Sequence, residues 1–305
     1  MNIQHSFSHT DLALELKDEL EESLEEQQAF DGIKIQQERI GERGLQETVI
    51  EIDSEEGEKQ LGKPRGIYVT LEGGNMAGND GSFHEEMSEC LAKRLQSLLS
   101  GKRKLLFIGL GNGEVTPDAL GPLVIKNLFI TRHLTGWKEI EGCPAVAALA
   151  PGVMAQTGIE TSEIIACLCE KIKPSCVIII DALAARSLKR LGRTVQLSNT
   201  GISPGSGAMN RRRELSRQTL GVPVISMGVP TVADGVTVGC DLLAVEGVDD
   251  EEAARALFAP EGQSMLVTPK EVDLLIGRAS KILAMAINRA LQPGLSQEDL
   301  TYFIN

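Results

Sequence analysis

Aromatic side chains are scarce in this chain. One Trp, two Tyr and seven Phe among 305 residues are too few for a surface on which nucleic-acid bases stack. Histidine is rarer still, with four residues, and no His-Glu-x-x-His zinc helix occurs. No apolar run approaches the roughly 20 residues needed to cross a bilayer, so no membrane association is expected. The opening residues MNIQHSFSHT lack the basic-then-apolar order of a secretory leader. The six cysteines, Cys90, Cys143, Cys167, Cys169, Cys176 and Cys240, form no CxxC pair and no regular framework. A reduced, cytoplasmic protein is the expectation. Basic residues are also in deficit, 30 against 43 acidic for a net charge of -13. Such an exterior repels phosphate backbones, and direct nucleic-acid binding is not expected.

What is present is a soluble globular composition, 42% hydrophobic and 24% charged, long enough for one large domain or two ordinary ones. The charge is uneven. Residues 1–60 hold 17 Asp and Glu against 5 Lys and Arg. Within them, residues 10–29 place Leu12, Leu16, Leu20 and Leu24 four apart, an apolar stripe on an acidic helix. The acidic run Glu15–Glu26 reads as a solvated helix face. Segments Gly32–Asp53 and Gly66–Glu72 read as strands, followed by a Gly/Asn/Asp loop, Gly73–Ser82, and a helix over His84–Leu99.

From residue 103 four apolar runs follow, Lys104–Leu110, Ala145–Ala150, Cys176–Ile180 and Val222–Met227. Strands apolar on both faces imply a sheet covered on both sides. Candidate helices over Asp118–Leu128, Glu160–Lys171 and Ala182–Leu191 alternate with them, so the expected fold is α/β, a doubly wound, mostly parallel twisted sheet with an acidic N-terminal helix and extra N-terminal strands. The expected divisions are 12–102 for the N-terminal helices and strands, 103–245 for the α/β core, and 246–305 for a linker and the C-terminal helix Pro269–Leu291.

Ligands of open α/β sheets sit at the carboxyl ends of the strands, where two carboxylates stand out. Asp118 lies in the turn-rich stretch Gly109–Pro122 after the first buried strand, and Asp181 directly follows Cys176–Ile180. Two carboxylates in one crevice cannot ionise independently, so one serves as acid while the other polarises water; alternatively both hold a metal. Each also has a plain structural reading. Thr116-Pro117-Asp118 is a good helix opening, and Asp181 suits the cap of a helix over Ala182–Leu191. Gly109-Leu-Gly111 suggests a dinucleotide turn, but Glu114 stands where its third glycine belongs. Ser206 lacks a nucleophile elbow, and His133 reads as a structural, partly buried residue. The loop running from Gly201 into Arg211, Arg212 and Arg213, together with Arg132 and Arg186, offers cations for an acidic substrate.

At these residues the sequence resembles the germination proteases of spore-forming bacteria, endopeptidases that degrade small acid-soluble spore proteins. The likeness runs through Ser8–Glu15, Gly109–Pro122, Thr131–Leu134, Ala150–Met154, Thr157–Glu163, Ile180–Ser187, Gly201–Asn210, Gly228–Val232 and Val267–Asp273. It implies a fold like that of hydrogenase-maturation peptidases, a homotetramer in the forespore or spore core, and a catalytic carboxylate pair on Asp118 and Asp181. It leaves open whether a divalent metal takes part, held by Asp118, Asp181 and Glu114. It also implies cleavage after Glu or Asp, before a large apolar residue and then Ala, and a zymogen that shortens itself. Asp11-Leu12-Ala13 has that order, which makes 1–11 the candidate propeptide and Asp11–Leu12 the self-cleaved bond. The chain departs from the family at Gly113-Glu114 and at Ser203, where relatives carry Trp-Asn and His, and residues 241–265 are shorter than in relatives. The competing reading is a non-catalytic α/β scaffold that binds acidic peptides, and a third is a nucleotide-binding enzyme.

Overall fold

A computed structural model describes residues 10–23, 31–134, 143–204, 213–245, 251–259, 265–292, 294, 295 and 299. The N-terminal half runs α1 (Ala13–Ser23), β1 (Ile33–Ile40), β2 (Leu45–Ile52), α2 (Glu55–Leu61), β3 (Gly66–Glu72), α3 (Gly81–Leu99), β4 (Lys104–Gly109), α4 (Leu120–Lys126) and β5 (Ala145–Leu149). Then come α5 (Met154–Thr157), α6 (Thr161–Ile172), β6 (Cys176–Ala185), β7 (Thr194–Ser198), α7 (Arg217–Leu220), β8 (Val224–Asp234), α8 (Gly235–Val245), α9 (Glu251–Phe258), β9 (Leu266–Val267) and α10 (Val272–Leu291). Among the described residues nine strands form one mixed sheet in the order β1-β2-β3-β7-β8-β6-β4-β5, with β9 beside β8. Its centre, β5-β4-β6-β8, is parallel, and the N-terminal strands extend it antiparallel through β7. Residues 12–102 and 103–245 therefore share one sheet.

The all-apolar runs are buried on both faces because alternate residues enter different cores. Leu105, Phe107, Ile178 and Ile180 pack under α3, α4 and α10. Leu106, Ile108, Val177 and Ile179 pack against Ile165 and Cys169 of α6. Helix α1 docks Ala13, Leu16 and Leu20 on β1–β3, while Leu12, 0% exposed, enters a separate cluster with Leu183, Ala185, Leu191, Ala233 and Val238. Leu24 lies outside the described residues. Among the described residues no helix is long and apolar enough to cross a membrane.

Four expectations need correction. Ala182–Leu191 is not a helix: β6 continues to Ala185, and only Leu188–Arg190 turns, as a single 3-10 turn. The stretch has good helix formers, but Ala182, Leu183, Ala184 and Ala185 find backbone partners on β8, with a bulge between Leu183 and Ala184, and tertiary pairing overrides propensity. Thr116 does not cap α4, since a 3-10 turn over Thr116–Asp118 precedes it without a side-chain cap. The acidic face of α1 is not wholly solvated, because Glu15 and Lys17 are buried. His133 is exposed on a 3-10 turn, Arg132–Leu134.

Candidate active site

Strand β4 ends against the middle of β6, with Gly109 opposite Ile180 and the Leu110 N–H donating to the Ile180 carbonyl at 2.8 Å. One residue beyond Leu110 and Ile180 lie Gly111 and Asp181. At Gly111 the backbone turns with φ +109, and a Cβ there would stand 2.0 Å from the Asp118 carbonyl oxygen and 2.9 Å from its Oδ1. Only glycine permits that approach. The Asn112 N–H donates to Asp118 Oδ2 at 2.7 Å, the Asp118 N–H donates to the Val115 carbonyl at 2.8 Å, and Thr231 Oγ1 of β8 donates to the Pro117 carbonyl at 2.8 Å. The glycine-rich turn thus folds a carboxylate back over the end of the sheet, a steric role that accounts for Gly-Leu-Gly without a nucleotide. A Gly111→Ala chain is expected to lose at least tenfold in peptide cleavage and to melt lower, because the new methyl displaces Asp118; activity and a melting curve of that variant check it.

Asp181, 7% exposed, sits within β6 opposite Gly228, and its Oδ1 accepts the Ala182 N–H at 2.9 Å. It is not a helix cap. Asp118 and Asp181 line one cavity of about 460 Å³, and Asp11 and Arg213 line it with them. Asp11 reaches it as an extended segment laid on β6: its N–H donates to the Ala184 carbonyl at 2.9 Å, and its Oδ2 accepts the Ala184 N–H at 2.8 Å. Thr10 Oγ1 accepts the Leu12 N–H at 3.1 Å and donates to Glu15.

A sequence model described as germination protease matches residues 10–246, the stretch that supplies most of this cavity's wall. The chain belongs to the germination protease family. Curated germination proteases from Clostridium tetani and Caldanaerobacter subterraneus subsp. tengcongensis are 42% and 39% identical to it, over 97% of this chain and 99% and 98% of those proteins. One from Geobacillus sp. is 37% identical over 95% of both. Among solved structures, the [NiFe] hydrogenase maturation protease HycI from Thermococcus kodakarensis KOD1 matches with a TM-score of 0.34 and 14% identity, covering 64% of this chain and 98% of that one. This germination protease family member is accordingly a hydrolase of peptide bonds with a role in germination.

The other candidate residues scatter. Arg213 is in the cavity wall, whereas Arg132 and Arg186 are not. The Arg186 guanidinium meets Glu19 at 2.9 Å and Asp241 at 3.4 Å; burial alone would lower its pKa, but these carboxylates outweigh burial and hold it raised. Arg211, Arg212 and Ser206 lie outside the described residues. Gly113, Glu114 and Ser203 are absent from the cavity wall, and the Glu114 N–H caps Asn112 Oδ1 at 3.0 Å. Among the described residues no group of three His, Cys, Asp or Glu side chains converges. The donor set for a metal held by Asp118, Asp181 and Glu114 is therefore not assembled, and no step below runs through one.

Two residues that reach Asp11 from outside the cavity escaped the sequence. Lys63 follows α2 in Gly62-Lys-Pro-Arg65, an ordinary surface turn in sequence. Gln196 had a faint signal, a long amide in the middle of the fully buried strand β7. Both contact Asp11.

Proposed function

We propose that this chain is an endopeptidase made as a self-processing zymogen, that it starts the breakdown of small acid-soluble spore proteins in the forespore or spore core at germination, and that it works as a homotetramer. The observation that carries the reading is the cavity that Asp118, Asp181 and Asp11 line together. Asp11 of the Asp11-Leu12-Ala13 segment enters it as the acid of an intramolecular substrate would, while Leu12 and Ala13 pack in neighbouring apolar clusters. Extended pairing on a strand supplies main-chain affinity. The Ala184 N–H that donates to the Asp11 carboxylate supports a preference for an acid before the cut. The buried cluster around Leu12 supports an apolar residue after it. Arg213 at the wall suits further acids of a substrate.

In the reaction, one carboxylate of the Asp118–Asp181 pair takes a proton from water as the oxygen bonds to the carbonyl carbon. The other, protonated beforehand because two neighbouring carboxylates do not both ionise, gives its proton to the leaving amine as the C–N bond breaks. Cleavage after Asp11 would separate Thr10 from the Leu12 N–H and from Glu15, loosening the start of α1. The full chain incubated under acid conditions is expected to yield a new amino terminus at Leu12, read by N-terminal sequencing, and Asp11→Ala is expected to abolish that product. Shortening of the Asp11→Ala chain at the same bond would sink the assignment. An acidic spore protein offered to the shortened chain should be cut after Glu with and without a chelator.

A further inference from the structure

Beyond the carboxylate pair, the carbonyl oxygen of Asp11 is held by two side chains from distant parts of the chain. Lys63 Nζ donates to it at 3.1 Å and Gln196 Nε2 at 3.0 Å. The amide of Gln196 cannot turn round without loss, because its Oε1 accepts the Ala13 N–H at 2.7 Å. Neither Lys63 nor Gln196 lines the cavity that Asp11, Asp118 and Asp181 share, so the carbonyl oxygen is drawn away from the cavity toward its donors. Gln196 pairs with Gly228, and Gly228 with Asp181, which puts the amide's strand position two strands, about 10 Å, from the acid. An ammonium drawn among packed groups is costly unless it has work there.

We propose that Lys63 and Gln196 are the donor pair that receives the charge developing on the carbonyl oxygen when the bond after Asp11 is cut. The proposal rests on the reading of Asp11–Leu12 as the self-processed bond. As water adds to the carbonyl carbon, the C=O electron pair moves onto the oxygen facing Nζ and Nε2; it returns when the Leu12 amine leaves with a proton from the carboxylate pair. Lys63 keeps its own proton throughout. Donors already in place for the anion act without reorganisation, the condition under which one such donor is worth most. Burial pushes the Lys63 ammonium below its ordinary pKa, and the charge of Asp11 opposes that fall, so the two groups stabilise each other in the uncut chain.

The test follows self-processing of full-length chains by the appearance of the Leu12 amino terminus, in wild type, Lys63→Met and Gln196→Glu. The glutamate variant keeps the acceptor for the Ala13 N–H and replaces the donor by an oxygen. Each variant is expected to process about 100-fold more slowly or worse. Amide exchange of the Asp11 N–H, measured in an Asp118→Asn background so that the bond stays whole, is expected to remain as slow as in the parent. Processing within about threefold of wild type in both variants overturns the donor role and leaves the cleavage assignment standing. Slow processing together with lost protection of the Asp11 N–H also overturns it, since the two residues then merely hold the segment in place. A wild-type chain that never yields a Leu12 terminus overturns the cleavage assignment itself, and the donor role with it.

Discussion

Asp118→Asn and Asp181→Asn chains are each expected to lose about 10³-fold or more of peptide cleavage, roughly 4 kcal/mol of transition-state stabilisation, while melting within a few degrees of wild type. Asparagine keeps an oxygen for the Asn112 N–H that Asp118 accepts and for the Ala182 N–H that Asp181 accepts. It keeps no carboxyl proton to give or take. Residues that act as one unit are grossly non-additive, so the double variant should be scarcely slower than either single one. Turnover of an acidic peptide and a melting curve read both halves of the result. A pair of variants that still cleave at the parental rate would return these aspartates to a structural role and favour a peptide-binding scaffold.

Glu15→Ala is expected to be the most destabilising single change in the N-terminal region. Glu15 is 3% exposed, yet its carboxylate accepts the Arg186 N–H at 2.7 Å and the Ser187 N–H at 2.9 Å, takes the Thr10 hydroxyl and faces Arg190 at 3.5 Å. Arg190 in turn binds Asp18 at 2.6 Å and Glu72 at 2.9 Å. Burial works against the charge on Arg190, but together these carboxylates raise its pKa above the usual arginine value. Removing one partner of a buried charge network leaves backbone donors and a guanidinium short of acceptors, a loss of about 3–5 kcal/mol. Urea unfolding should show it, with a fall in melting temperature of about 5–15 °C. A change under about 1 kcal/mol would mean that α1 is held by its apolar face alone. The same variant should also free the Thr10–Leu12 segment from the loop after β6, which connects stability here to processing.

Much of the sheet was legible because its signal is local. The runs Lys104–Leu110 and Cys176–Ile180 are apolar at every position, and a strand apolar on both faces has to be covered on both. The glycine at 111 was visible and the nucleotide turn it suggested was set aside at Glu114, but its steric need showed only in its distance from Asp118. Glu15 looked like one more acid on a wet helix, since nothing in its neighbours along the chain announces the two backbone N–H groups of residues 186 and 187. The same holds for Lys63 in a turn of ordinary surface composition.

Residue order alone was enough to mark an acidic amino-terminal region, a doubly covered α/β core, a resemblance to a peptidase family and two acids as site candidates, because periodicity and motif are carried by neighbours in the chain. Folding in three dimensions decided the rest. Ala182–Ala185 became strand because β8 offered backbone partners; Asp11 came to line one cavity with acids more than a hundred residues away; and a lysine and a glutamine converged on a single carbonyl oxygen. Hydrogen bonds between distant segments depend on how the sheet is ordered, and no local pattern of side chains records that order.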